Sequence, residues 1–165
     1  MKKILMIATG GTIASKGTAD GLAPELTSQD ILHYIPSLKD ICEVETLQLC
    51  NLDSTNISME HWMMMANAIE EKYEKYDGFV ICHGTDTMAY TASALSYLVQ
   101  HSPKPIVLTG SQKPVDMEIT AILNHCKTWI INTCKSLKTL CPDFSGSCSQ
   151  NNFSGKDNLN TAGII

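Results

Sequence analysis

Arginine is absent from this chain, and all twelve basic residues are lysines. That excludes the planar, two-pronged guanidinium clamp that grips carboxylates and phosphates. Any anion here must be held by lysine, by hydroxyls or by backbone N–H groups. Basic residues are also outnumbered, 12 against 17 acids, for a net charge of −5, which argues against nucleic acid as the main partner. Long apolar runs are missing too. No stretch could span a membrane, and Lys2-Lys3 is followed by only five apolar residues, Ile4 to Ala8, too few for a secretory signal core. A cytoplasmic chain with no membrane partner is expected. No two of the seven cysteines are spaced Cys-x-x-Cys, and their number is odd, so they read most simply as reduced thiols. Two phosphate-binding motifs are also excluded. No Gly-Lys-Ser/Thr follows the first glycine-rich turn, and that turn lacks the third glycine of a dinucleotide fingerprint.

What is present suits one domain with a substantial core: 165 residues, 44% hydrophobic and 18% charged. Strand and helix patterns alternate. Lys3 to Ala8 reads as a first strand, Gly21 to Pro24 as a loop, and Thr27-Ser28 as the cap of a short helix to Ile35 with Asp30 in its first turn. A second strand lies within Ile41 to Leu49, where apolar and acidic residues alternate as on a sheet edge. After the polar loop Asn51 to Asn56, Ser58 caps a helix to about Tyr76. Trp62, Met65, Ala66 and Ile69 form its buried face, and the run Met63 to Met65 reads as packing. Gly78 to Cys82 is a continuous apolar strand of the central parallel kind. A helix from about Met88 to Gln100 and a strand from Pro105 to Thr109 follow. The pattern predicts an α/β fold, a doubly wound parallel sheet of flavodoxin or Rossmann type.

All four strands run out into small polar residues: Thr9 to Thr12, Asp53 to Asn56, His83 to Thr87, and Thr109 to Gln112. In a parallel sheet these ends share one edge, where ligands bind. A pocket for a small zwitterionic ligand is expected there. Gly10-Gly11 before Thr12 permits a tight turn and close approach to backbone N–H groups, a setting for a hydroxyl nucleophile. The same residues also suit an ordinary strand-to-helix turn with a Thr cap. Likewise Thr85 and Asp86 could cap the next helix, or orient a water and bind an ammonium group.

Thr9-Gly10-Gly11-Thr12-Ile13-Ala14, and Gly78 to Cys82 followed by His83-Gly84-Thr85-Asp86-Thr87-Met88, together resemble the two signatures of the bacterial-type L-asparaginase/glutaminase family, and within it the cytoplasmic type I branch. The likeness covers Met1 to about Thr120. It implies an asparaginase amino-terminal α/β domain over residues 1–120 that hydrolyses L-asparagine to L-aspartate and ammonia. It implies that Thr12 attacks the side-chain amide carbon, that Thr85 is the second catalytic threonine, and that Asp86 holds the substrate ammonium and positions Thr85. Asp53, Ser54 and Thr55 match the loop that binds the amino-acid end, Ser54 meeting the α-carboxylate. No metal or cofactor is implied, and family members are homo-oligomers.

Two departures stand out. Many members carry a Tyr soon after the first signature, whereas Lys16 to Pro24 holds none and Leu22 stands where an aromatic is expected. After Thr120 the family continues to a catalytic Lys and a carboxy-terminal domain, and no equivalent is legible here. Residues 121–165 carry four of the seven cysteines, no glutamate and a net +2, against −7 for the first 120. They read as an aberrant, irregular tail that leaves one sheet edge uncovered, and the chain is expected to be truncated and impaired. No motif surrounds Lys127, Lys135, Lys138 or Lys156, and His125-Cys126 with Cys134, Cys141 and Cys148 has the wrong spacing for zinc. Two alternatives remain: a module that binds an amino acid without turning it over, and an ammonia-releasing amidotransferase subunit of the same fold. The latter carries an extra amino-terminal docking domain, whereas this chain begins at its first strand.

Overall fold

The computed structural model describes residues 1–18, 21–24, 26–33, 36, 40–111 and 160–164. Their centre is β1 (Lys2–Gly10), which is buried from Ile4 to Gly10. Alternation along β1 divides two cores. Ile4 and Met6 face one layer with Ile31 and Val80, while Leu5 and Ile7 face the other with Met65, Ile69, Ile81 and Leu95. A strand buried on both faces must be apolar at every position, as the run Ile4 to Ala8 is.

After β1 a short 3-10 turn, Thr12–Ala14, leads into an antiparallel ribbon of β2 (Ser15–Thr18) and β3 (Gly21–Pro24). The segment expected to be a loop is thus one arm of a hairpin. Gly21 carries no apolar alternation around it, so the pairing left no periodic signal. Helix α1 (Ser28–His33) follows. Asp30 accepts from the Thr27 backbone N–H at 2.9 Å and from its hydroxyl at 2.6 Å, an N-terminal cap of the expected kind. The chain then forms β4 (Cys42–Leu52), α2 (Met59–Lys72), β5 (Gly78–Cys82), α3 (Met88–Leu98) and β6 (Ile106–Ser111). The Ser58 N–H donates to His61 Nδ1 at 3.1 Å at the start of α2. Of the methionine run only Met65 packs inward, while Met63 and Met64 are exposed. Three successive residues sweep most of a helical turn and cannot all meet one core.

Strands β4, β1, β5 and β6 lie in that order and all run parallel. Helix α1 covers one face, and α2 and α3 cover the other. This is the doubly wound α/β sheet expected, with β4 as the half-exposed edge strand. Because β1 pairs β4 on one side and β5 on the other, the chain reverses its direction of travel across the sheet between β1 and β5, the switch point at which such folds bind ligands. At the far side β7 (Asn160–Ile164) pairs antiparallel with β6. The edge expected to stay open is therefore occupied, by a stretch, Asn-Thr-Ala-Gly-Ile, too poor in apolar residues to give a strand signal. Gln112, His125, Cys126, Cys134, Cys141, Cys148 and the lysines at 127, 135, 138 and 156 lie outside the described residues.

Candidate active site

The site grows from the way β1 ends. Gly10 and Gly11 have φ of +103° and +79°, a region that residues with a Cβ rarely enter. This left-handed bend breaks the β1–β4 register and brings the Gly11 N–H to the Leu52 carbonyl at 2.9 Å. The Gly11 carbonyl in turn accepts from Ala14 N–H at 3.0 Å and from the Ser15 hydroxyl at 3.1 Å, closing the turn that Thr12 opens. Thr12 sits half-buried on this turn.

The end of β5 meets it directly. A Cβ on Gly11 would lie 2.4 Å from Gly84 Cα, and one on Gly84 would lie 2.5 Å from Ser54 Cβ. Three chain segments thus touch through their smallest parts: Gly11, Gly84 and Ser54. The next residues, Thr12 and Thr85, leave neighbouring points of the sheet edge, both half-buried. The Thr9 hydroxyl adds a brace between β1 and β5, donating to the Cys82 carbonyl at 3.0 Å.

A 3-10 turn, Ser54–Asn56, forms the third wall. Ser54 is buried beneath Gly84, and its carbonyl accepts the Thr87 hydroxyl at 2.8 Å. Asp53 and Thr55 are exposed, and they face each other. Asp53 Oδ1 accepts from the Thr55 N–H at 2.9 Å and from its hydroxyl at 2.7 Å. These two hydrogen bonds hold the Asp53 carboxyl below the usual carboxylate range. Asp86 is exposed on the loop that opens α3. Of the six residues singled out from the sequence, then, Thr12, Thr85 and Ser54 are gathered around Gly11 and Gly84. Asp86 lies at the rim, and Asp53 and Thr55 shape the turn through each other.

The residue behind the loop, His83, stood in the second signature without a role of its own. His83 is fully buried, with Nδ1 at 2.7 Å from the Gly84 carbonyl oxygen and Nε2 at 3.0 Å from Thr91 Oγ1. Burial pushes its pKa below the ordinary histidine value, opposed by the bond to Gly84. Thr91 lies on the first turn of α3, one helical turn after the Thr87 cap, and no sequence spacing ties it to His83, which precedes the helix. No group of His, Cys, Asp and Glu among the described residues could hold a metal ion. Cys42, Cys50 and Cys82 are thiols.

Against known families, residues 3–133 match "Asparaginase, N-terminal". The chain belongs to the asparaginase family. The match runs on past Thr120, where the resemblance of the motifs ended. Asparaginase relatives carry both the sequence and the fold. The L-asparaginase of Thermococcus kodakarensis is 46% identical over 114 residues, covering 68% of this chain and 35% of that protein. The solved structure of the thermostable L-asparaginase from that organism superposes with a TM-score of 0.64, covering 70% of this chain and 36% of the other. L-asparaginase I from Vibrio cholerae superposes with a TM-score of 0.65 at 36% identity, over 75% of this chain and 39% of that one. A glutamyl-tRNA(Gln) amidotransferase component from Methanococcus maripaludis is 40% identical over 119 residues, 70% of this chain and 28% of that protein. The chain therefore spans roughly a third of the length of the relatives it matches.

Proposed function

We propose that this asparaginase-family domain binds L-asparagine at the switch point between β1 and β5 and contributes the threonine half of an amide-hydrolysing site. The contact of Gly11 with Gly84 carries the reading. It brings together two strand ends that each deliver a threonine to one sheet edge, with the buried Ser54 beneath them. Thr12 is the nucleophile in this reading. Its hydroxyl oxygen attacks the side-chain amide carbon, the amide nitrogen takes up the hydroxyl proton as the C–N bond breaks and leaves as ammonia, and water hydrolyses the acyl-threonine ester, freeing aspartate and restoring the Thr12 hydroxyl. Thr85 supplies the second hydroxyl. Asp86 offers the carboxylate for the substrate ammonium, with Ser54 near the α-carboxylate. A threonine hydroxyl needs a proton acceptor to attack efficiently, and the group that takes the Thr12 proton is the part of the site this reading leaves to be found. The domain works in the cytoplasm.

The likeness to an amidotransferase component supports a second reading, in which the released ammonia passes to a partner enzyme. One experiment addresses the shared step. Titration calorimetry with L-asparagine and L-aspartate is run beside a coupled ammonia assay on the same chain. Stoichiometric binding with asparagine-dependent ammonia release, abolished in Thr12→Ala, is expected. Binding with no ammonia release favours an amino-acid-binding module, and absence of binding overturns the reading altogether.

A further inference from the structure

We propose that His83 is a positioning residue, its ring held in one tautomer by a proton-ordered chain from Trp62 through Thr91, and that this ring fixes the Gly84–Thr85 peptide. The inference rests on the reading of that loop as part of the hydrolytic site.

The hydrogen-bond directions follow from what each group can do. The Gly84 carbonyl only accepts, so His83 Nδ1, 2.7 Å away, must carry a proton. The indole Nε1–H of Trp62 only donates, and it lies 2.9 Å from Thr91 Oγ1. The Thr91 hydroxyl therefore accepts from Trp62 and is left with its own proton, which points to Nε2 of His83 at 3.0 Å. One arrangement satisfies every group: Trp62 N–H to Thr91 oxygen, Thr91 O–H to Nε2, Nδ1–H to the Gly84 carbonyl. The other neutral tautomer sets an imidazole lone pair against a carbonyl oxygen. The charged ring is disfavoured where His83 and Thr91 are both fully buried.

The chain of bonds joins α2 to α3 and ends on the backbone that matters most to the site. Gly84 is wedged between Ser54 and Gly11. Its carbonyl and the Thr85 N–H belong to one planar peptide unit. Holding the carbonyl from behind fixes the direction of the Thr85 N–H and the point from which the Thr85 side chain departs. Trp62 and Thr91 thus act on the threonine through a ring that itself makes no contact with substrate.

The test reads the ring and the loop without a ligand. In the full 165-residue chain labelled with 15N-histidine, His83 is expected to show a protonated Nδ1 and an unprotonated Nε2. Thr91→Val keeps shape but removes the hydroxyl, leaving Nε2 buried without a donor. Amide hydrogen exchange at Thr85 should then rise about tenfold, and by more than at Ile7 in β1, which reads only the change in global stability. Thr91→Ser should restore the wild-type rate. If Thr91→Val does not fold, Trp62→Phe carries the test, with a smaller rise at Thr85 confined to the same loop. A protonated Nε2 in the wild-type chain, or a Thr85 exchange rate indifferent to these substitutions, overturns the proposal. A chain that shows the ordered tautomer and the graded exchange but binds no amino acid overturns the functional reading alone.

Discussion

Gly11 and Gly84 meet backbone to backbone: a Cβ on the first would stand 2.4 Å from Cα of the second. This contact ties the ends of β1 and β5 more closely than their hydrogen-bonded ladder, which stops at Ala8 and Cys82. Gly11→Ala should therefore be costly twice over. The left-handed φ of +79° alone costs roughly 1–2 kcal/mol for a residue with a Cβ, and the new methyl group collides with backbone that cannot swing aside. We expect a loss of at least about 2 kcal/mol in urea unfolding, together with loss of amino-acid binding. Gly84→Ala, pressed against Ser54, should lose binding as well. A Gly11→Ala chain as stable as wild type would show that the two strand ends are not in contact.

The threonine and the rim carboxylate should separate by what they lose. Thr12→Ala removes only the attacking hydroxyl, so ammonia release should vanish while aspartate still binds in calorimetry. Asp86→Ala removes a charge partner for the substrate ammonium, so binding itself should weaken. Because Asp86 is exposed, the weakening depends on how far the ligand covers it. For a desolvated pair it reaches about 2–5 kcal/mol. Unchanged aspartate affinity in Asp86→Ala would remove it from the site.

Much of this was legible in the sequence, for physical reasons that particular residues show. Ile4 to Ala8 and Phe79 to Cys82 are strands apolar on both faces, and only a covered parallel sheet needs that. The loops at their ends were readable because glycine next to threonine and aspartate is a dense signal. The ribbon of β2 and β3 and the strand at Asn160–Ile164 were not, since Gly, Ser, Thr and Asn carry no period to count. Also unread were the bond of Asp53 to Thr55, two residues on, and that of Trp62 on α2 to Thr91 on α3. The first is a local cap of a kind that Asp two residues before Thr can form, left unread because the loop was taken as a whole; the second depends on a helix packing that no local pattern encodes.

Phe79 tests the core behind the site. It is fully buried on β5, stacked on Tyr73 at 6.0 Å between ring centroids and edge-on to Tyr76 at 6.2 Å. Truncation to alanine leaves a cavity between β5 and the end of α2 and forfeits both ring contacts. Phe79→Ala should lose about 3–5 kcal/mol, measured by urea unfolding, and Phe79→Leu distinctly less. A loss under about 1 kcal/mol for the alanine variant would contradict the packing of α2 against β5.

The acid limb of stability should carry the mark of Asp77, which precedes β5 and grips the start of β1. Its Oδ2 accepts the Lys3 backbone N–H at 2.8 Å and its Oδ1 accepts from Lys2 Nζ at 3.1 Å. The Lys3 bond is the largest cause of its lowered pKa; burial, the next largest, works the other way, and Lys2 adds a smaller lowering. A carboxyl whose folded pKa lies below its unfolded value binds its proton more readily when unfolded. The stability it contributes is therefore complete above the unfolded value of about 3.9 and is lost as pH falls toward the folded one. With side chains 36% and 45% exposed, solvent screening limits this contribution to about 1 kcal/mol or less. Unfolding of wild type and Asp77→Ala should accordingly differ by a constant amount between about pH 7 and pH 5, and the gap should shrink once pH drops below about 4. A gap that stays the same down to about pH 3, or widens there, would mean that the carboxylate charge plays no part in joining β5 to β1.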